Sequence, residues 1–233
     1  MDFTFWSHPT PFSITVEEVF GDGKPNEKLW LEMAYQIFCE HGADGSYREI
    51  KHFDNGVPYI KGLNQRISIT HTKGFLAVAF LPPVPDADLV SFNPKTALGI
   101  DAEPLDRSKV LKVREKFLSP EELKLIPEDD LQANILAWTI KEAVLKASMN
   151  SAIDYRNNIV INTLPHLYKS CEEALSASTP LIGSATLLSS SSSSSSISNP
   201  SSSDSNCSDP NLPLSFRLFS YESEGNCVTL AFT

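Results

Sequence analysis

Apolar and polar positions alternate with a period of two at two places, each followed by a turn and a second apolar run. Arg66–Thr72 (RISITHT) alternates, Lys73-Gly74 can turn, and Phe75–Leu81 is apolar. Ser215–Tyr221 (SFRLFSY) alternates, Glu224-Gly225-Asn226 can turn, and Cys227–Phe232 is apolar. Both predict β-hairpins. They end alike, in Ala79-Phe80 and Ala231-Phe232, which hints at two similar halves. Apolar stretches also lie around Phe3–Trp6 and Phe12–Phe20. A helical period appears over Glu27–His41, where Leu29, Met33 and Ile37 recur at i+4 and Gly42 can stop the helix. A longer helix is expected over Leu131–Met149. Its seam runs Leu131, Ile135, Trp138, Leu145 and Met149, beside a second row of Leu136, Ile140, Ala143 and Ala147. A shorter helix is expected over Ser108–Phe117. The expected fold class is α+β.

One segment breaks the pattern. Residues 189–208 hold 14 serines in 20 positions, eight of them consecutive. Such a tract cannot bury enough apolar area to offset its ordering entropy. The expected flexible insertion covers 176–211. The apolar pattern resumes after it, so it falls inside a domain. It reads as a tolerated surface insertion or as a phosphorylated regulatory loop.

Composition narrows the class. The chain has 233 residues, 41% apolar and 21% charged, with a net charge of −10. That acidity opposes non-specific nucleic-acid binding. Cys39, Cys171, Cys207 and Cys227 lie at least 20 residues apart, which gives no metal-ligand spacing and no disulfide framework. The first residues, MDFTFWSHPT, lack a basic start followed by an apolar run. No apolar stretch reaches the about 20 residues that cross a bilayer. A soluble cytoplasmic protein without membrane or nucleic-acid partners is the expectation.

Carboxylates stand where a bland fold would not put them. In Leu98-Gly99-Ile100-Asp101-Ala102-Glu103-Pro104 the apolar side chains share one strand face, so Asp101 and Glu103 share the other. They read either as the solvated face of an edge strand or as a pair sharing a cation such as Mg²⁺. In the long helix, Glu142 occupies the seam position between Trp138 and Leu145, and Lys146 follows at i+4. This pair reads as an ion pair at the core's rim, or as a third ligand beside a lysine suited to phosphate chemistry. Ser68, Thr70 and Thr72 share one strand face, and His71 points the other way with Ile67 and Ile69. His71 reads as a satisfied core residue or, beside the Lys73-Gly74 turn, as a phosphate contact. Lys109, Lys112, Arg114 and Lys116 form a local basic run. It is either a solvated helix face or a contact for an anionic ligand or an acidic protein.

In order along the chain, Ile69-Thr70-His71-Thr72, Gly99-Ile100-Asp101-Ala102-Glu103, Lys116–Glu122 (KFLSPEE) and Trp138–Lys146 (WTIKEAVLK) resemble the motifs of the 4′-phosphopantetheinyl transferases. The closer resemblance is to the larger, surfactin-synthetase-activating class. W-x-x-K-E-A-x-x-K is the most specific motif. The resemblance implies two similar halves, 1–98 and 99–233, each a small antiparallel sheet on a long helix, in a monomer. It implies transfer of the phosphopantetheine arm of coenzyme A to a serine of an apo acyl or peptidyl carrier protein, releasing adenosine 3′,5′-bisphosphate. By the same resemblance Asp101, Glu103 and Glu142 hold Mg²⁺. Glu142 takes the serine proton, Lys146 meets the charge on the leaving phosphate, and Thr70, His71 and Lys141 contact the coenzyme.

The chain departs from the family at Gly56-Val57-Pro58, where family members often carry Gly-Lys-Pro. Only Lys24 and Lys28 lie near enough in sequence to replace the N-terminal basic residues that bind the 3′-phosphate. Two other readings follow: a relative that binds coenzyme A or a carrier without transfer, and a metal-dependent nuclease. The nuclease reading lacks its lysine at Glu103-Pro104-Leu105 and meets the wrong net charge.

Overall fold

The computed structural model describes residues 3–22, 28–29, 32–33, 35–36, 49–61, 64–83, 89–90, 92–188 and 213–233. Strands β1 (Phe3–Pro9), β2 (Thr15–Gly21), β5 (Ile67–Thr72) and β6 (Phe75–Phe80) form a four-stranded antiparallel sheet in the order β1-β2-β6-β5. Strands β3 (Ile50–His52) and β4 (Pro58–Ile60) pair separately. The second sheet runs β7 (Leu98–Pro104), β12 (Asn226–Phe232), β11 (Leu214–Ser223), β10 (Gly183–Leu187) and β8 (Ile159–Thr163). The short β9 (Leu167–Tyr168) joins β11 in parallel. Both hairpins form, and their turns carry Gly74 at φ +73° and Gly225 at φ +74°, a conformation in which glycine has no Cβ to strain.

The sheets stack. Leu98, Ile100 and Ala102 of β7 pack with Val16, Phe75, Ala77 and Ala79 of the first sheet. The opposite face of the second sheet receives the long helix Leu131–Ser148, whose row Leu136, Ile140, Ala143 and Ala147 is buried. The helix begins at Asp130, whose carboxylate accepts from Ala133 N at 2.9 Å, and stops at Met149 in the left-handed region. Gly99 permits the close approach of strand and helix: a Cβ there would stand 1.9 Å from the Ala143 carbonyl oxygen.

Between the sheets, Glu18 of β2 has no exposed surface. Tyr221 donates to it at 2.7 Å and Ser223 at 2.8 Å, both from β11. His8 lies 3.2 Å from Glu18 through Nε2 and 3.1 Å from Glu172 through Nδ1. Only the imidazolium can donate from both nitrogens. The hydrogen bond and charge of Glu18, with Glu172 adding to them, hold the His8 pKa above its ordinary 6.5 against the effect of burial.

Three expectations need correction or limits. The insertion does not begin at residue 176. The helix Cys171–Ser176 ends there, and Gly183–Leu187 forms β10, paired with β8 on one side and β11 on the other. Ala185 is fully buried, so this serine- and threonine-bearing stretch alternates as a strand does. The remainder of the expected insertion, 189–211, lies outside the described residues. The helix expected over Ser108–Phe117 is a 3₁₀ segment, Ser108–Val113, followed by one α-turn, Arg114–Phe117, neither with a side-chain cap. Of Glu27–His41, residues 28, 29, 32, 33, 35 and 36 are helical and the rest lie outside the described residues, as does Lys24.

Two measurements check this account. Gly99→Ala forces the helix off the sheet and costs about 3 kcal/mol in urea unfolding. Because the folded-state pKa of His8 is raised, its contribution is complete below about pH 6.5 and disappears as the pH rises through the folded value. Stability therefore declines as the pH rises above about 6.5, and His8→Gln flattens that decline.

Candidate active site

Asp101 and Glu103 leave β7 on the face that meets the long helix. Glu142 and Lys146 come from that helix, one turn apart. Lys146 Nζ donates to Asp101 Oδ1 at 2.8 Å and to the Ile100 carbonyl at 2.9 Å. Thr70 of β5 donates to the same Asp101 oxygen at 3.3 Å and accepts from Ala102 N at 3.1 Å. Asp101 Oδ2 is buried and has no partner among the described residues. Burial pushes the Asp101 pKa up against the pull of Lys146. Burial, with the nearby Asp101 charge, also raises Glu142. Two carboxylates that repel each other, one with an unpartnered oxygen, fit a hard cation between them.

Glu103 stands beside this pair, turned toward other groups. Trp138 Nε1 donates to its Oε1 at 3.0 Å and Arg107 pairs with the same oxygen. Among the described residues no three of histidine, cysteine, aspartate and glutamate stand close enough together to hold a metal ion as they lie. Glu103 would have to leave Arg107 to join Asp101 and Glu142.

Lys146 also lines a cavity of about 340 Å³. Its walls hold His52, Arg66, His71 and Lys146 and, among the described residues, no carboxylate. In a chain of net charge −10 this is a place where an anion is favoured. Val57 lines the same cavity. His71 is exposed there, and Thr70 lies behind it against Asp101.

The structure therefore brings Asp101, Glu142, Lys146 and Thr70 together, sets Glu103 alongside, and places His71 in the adjoining cavity. Lys141 is not part of this group. Its side chain is fully buried, and its ammonium donates to Glu122 Oε2 at 2.8 Å, to the Tyr155 carbonyl at 3.0 Å and to the Ile159 carbonyl. Glu122 accepts from Ile161 N at 2.8 Å and closes a capping box with Ser119. Of the basic run, Arg114 is taken up by Asn134 and the Ile126 carbonyl, whereas Lys109, Lys112 and Lys116 are exposed. The motifs did not mark Tyr155, whose hydroxyl donates to Glu142 Oε1 at 2.9 Å. Burial raises its pKa well above the ordinary value, with the Glu142 charge adding to the effect.

Residues 97–178 match the family model of the 4′-phosphopantetheinyl transferase superfamily. That stretch carries Asp101, Glu103, Lys141, Glu142 and Lys146 and leaves out Thr70 and His71. No curated protein matches the chain. Among the described residues, no helix is long and apolar enough to cross a membrane.

Removing Lys141 leaves Glu122 charged in the interior. Lys141→Met is expected to cost about 3–5 kcal/mol. Denaturant titration measures this, and a loss below about 1 kcal/mol would contradict the buried pair.

Proposed function

We propose that the chain transfers the 4′-phosphopantetheine arm of coenzyme A to a serine hydroxyl of an apo acyl or peptidyl carrier protein. The observation that carries this reading is the junction at Lys146. On one side stand Asp101 and Glu142, and on the other a cavity lined by cationic and imidazole groups. The family match over the same segment supports it. Within this reading the chain works as a monomer of two halves meeting near residue 98, as in the surfactin-synthetase-activating class.

The serine oxygen bonds to the phosphorus that carries the pantetheine arm, and the bond from that phosphorus to the bridging oxygen breaks. Adenosine 3′,5′-bisphosphate leaves with that oxygen. A magnesium ion held by Asp101, Glu142 and Glu103 would neutralise the pyrophosphate. Glu142, raised in basicity by burial and by Asp101, accepts the serine proton directly or through a water. Lys146 meets the negative charge that grows on the departing phosphate. His71 meets the coenzyme's phosphates from the cavity wall, and Arg66, which donates to the Leu89 carbonyl at 2.7 Å, adds positive charge to the same wall. Thr70 acts through Asp101, which its hydroxyl orients.

The test is intact-mass spectrometry of an apo carrier protein incubated with the chain, coenzyme A and Mg²⁺. The expected result is a gain of one phosphopantetheine arm. It disappears with EDTA, and its rate falls about 100-fold or more in Glu142→Ala. Full transfer by a folded Glu142→Ala variant would remove the role given to that residue. Coenzyme A binding without transfer to any carrier class would favour the non-catalytic reading.

A further inference from the structure

Glu142 projects from the flank of the long helix, half-buried, on a long side chain. A ligand to a cation gains from being held before the cation arrives. The structure holds it through Tyr155. The Tyr155 ring stacks on Trp138 with centroids 6.0 Å apart and planes at 14°. Phe117 also packs edge-on against Trp138, with ring centroids 5.1 Å apart. From this stack the Tyr155 hydroxyl reaches Glu142 at 2.9 Å, and the indole N–H reaches Glu103 at 3.0 Å. One aromatic pair thus grips two carboxylates that come from different elements.

The pair is also anchored from below. Lys141 sits next to Glu142 in the helix but points into the core, where its ammonium binds the Tyr155 carbonyl. Glu122 holds Lys141 and, through its other oxygen, the backbone of Ile161. The segment that delivers Tyr155 is therefore pinned at its backbone while its hydroxyl is presented to Glu142. The adjacent lysine and glutamate of the helix thus both bind one residue, Tyr155.

We propose that Trp138 and Tyr155 form an orienting clamp for Glu142, Tyr155 through its hydroxyl and Trp138 by seating the Tyr155 ring, and that the buried Lys141–Glu122 pair serves the site by fixing the backbone of Tyr155. Tyr155, Trp138 and Lys141 are then positioning residues. The inference rests on the reading that these carboxylates bind a divalent cation.

The experiment titrates Mn²⁺ into the whole chain with coenzyme A present and counts bound ion by electron paramagnetic resonance against a blank without protein. Tyr155→Phe removes only the hydroxyl, so its thermal midpoint stays within about 2 °C of the parent chain. Its Mn²⁺ affinity falls about 10-fold. Trp138→Phe also weakens binding, because the smaller ring seats Tyr155 less firmly. A double variant, Glu122→Gln with Lys141→Met, removes both buried charges together and loosens Tyr155, so affinity falls as in Tyr155→Phe. Unchanged affinity in Tyr155→Phe overturns the clamp. Weakened affinity in Tyr155→Phe with none in a folded double variant overturns the part given to Lys141. Absence of bound Mn²⁺ in the parent chain overturns the cation reading itself, and the clamp with it.

Discussion

Strand β7 has two edges and only one ladder. On one side it pairs with β12 along its whole length, from Phe232↔Leu98 to Asn226↔Pro104. On the other its backbone N–H groups face β5, which belongs to a different sheet, and buried donors need acceptors. Side-chain hydroxyls supply them: Ser68 accepts from Ile100 N at 3.0 Å and Thr70 from Ala102 N at 3.1 Å. The two-residue spacing of the hydroxyls matches the two-residue spacing of the outward N–H groups. The seam between the sheets is thus a row of hydroxyl contacts rather than a continuous ladder. Thr70 extends the seam into the site, because the hydroxyl that accepts from Ala102 also donates to Asp101.

The electrostatics follow from that placement. Asp101 is held at the floor of the seam, where burial makes its charge costly, and Lys146 is the cation that meets it. Acidic and basic groups are separated to either side of Lys146. The carboxylates stand against the helix, and the imidazoles and Arg66 stand around the cavity. A chain with an excess of acids thereby keeps a chamber that, among the described residues, has no acid in its walls. Glu103, on the carboxylate side, pairs with Arg107, a partly exposed cation four residues on.

Much of the fold was legible because it is local. The hairpins at 67–80 and 214–232, the strand carrying Asp101 and the helix carrying Glu142 all follow from periods of two and 3.6. The grouping of Asp101, Glu142 and Lys146 was legible only through motif order, since no spacing rule places β7 on the helix. What escaped is non-local. Gly183–Leu187 carries too little apolar character to read as a strand, and it becomes one because β8 and β11 flank it. Lys141 looks like any surface lysine, yet Asn134 and Lys141, seven apart, are both fully buried. That spacing in an otherwise apolar helix was the available signal. Tyr155 sits in a polar turn, Asp154–Asn158, and nothing in its neighbours announces a contact with Glu142.

Gly99 gives the site its calibre. The atoms nearest to its missing side chain are the Ala143 carbonyl and the Ala147 amide, which bracket Lys146 on the helix. The span between Asp101 and the helix residues facing it is therefore a property of two backbones in contact, set by the absence of one methyl group. Exchanging ligands at positions 101 or 142 changes the chemistry of the jaws but not their opening. An engineer who wanted a wider ion or a bulkier phosphate group there would have to begin at residue 99.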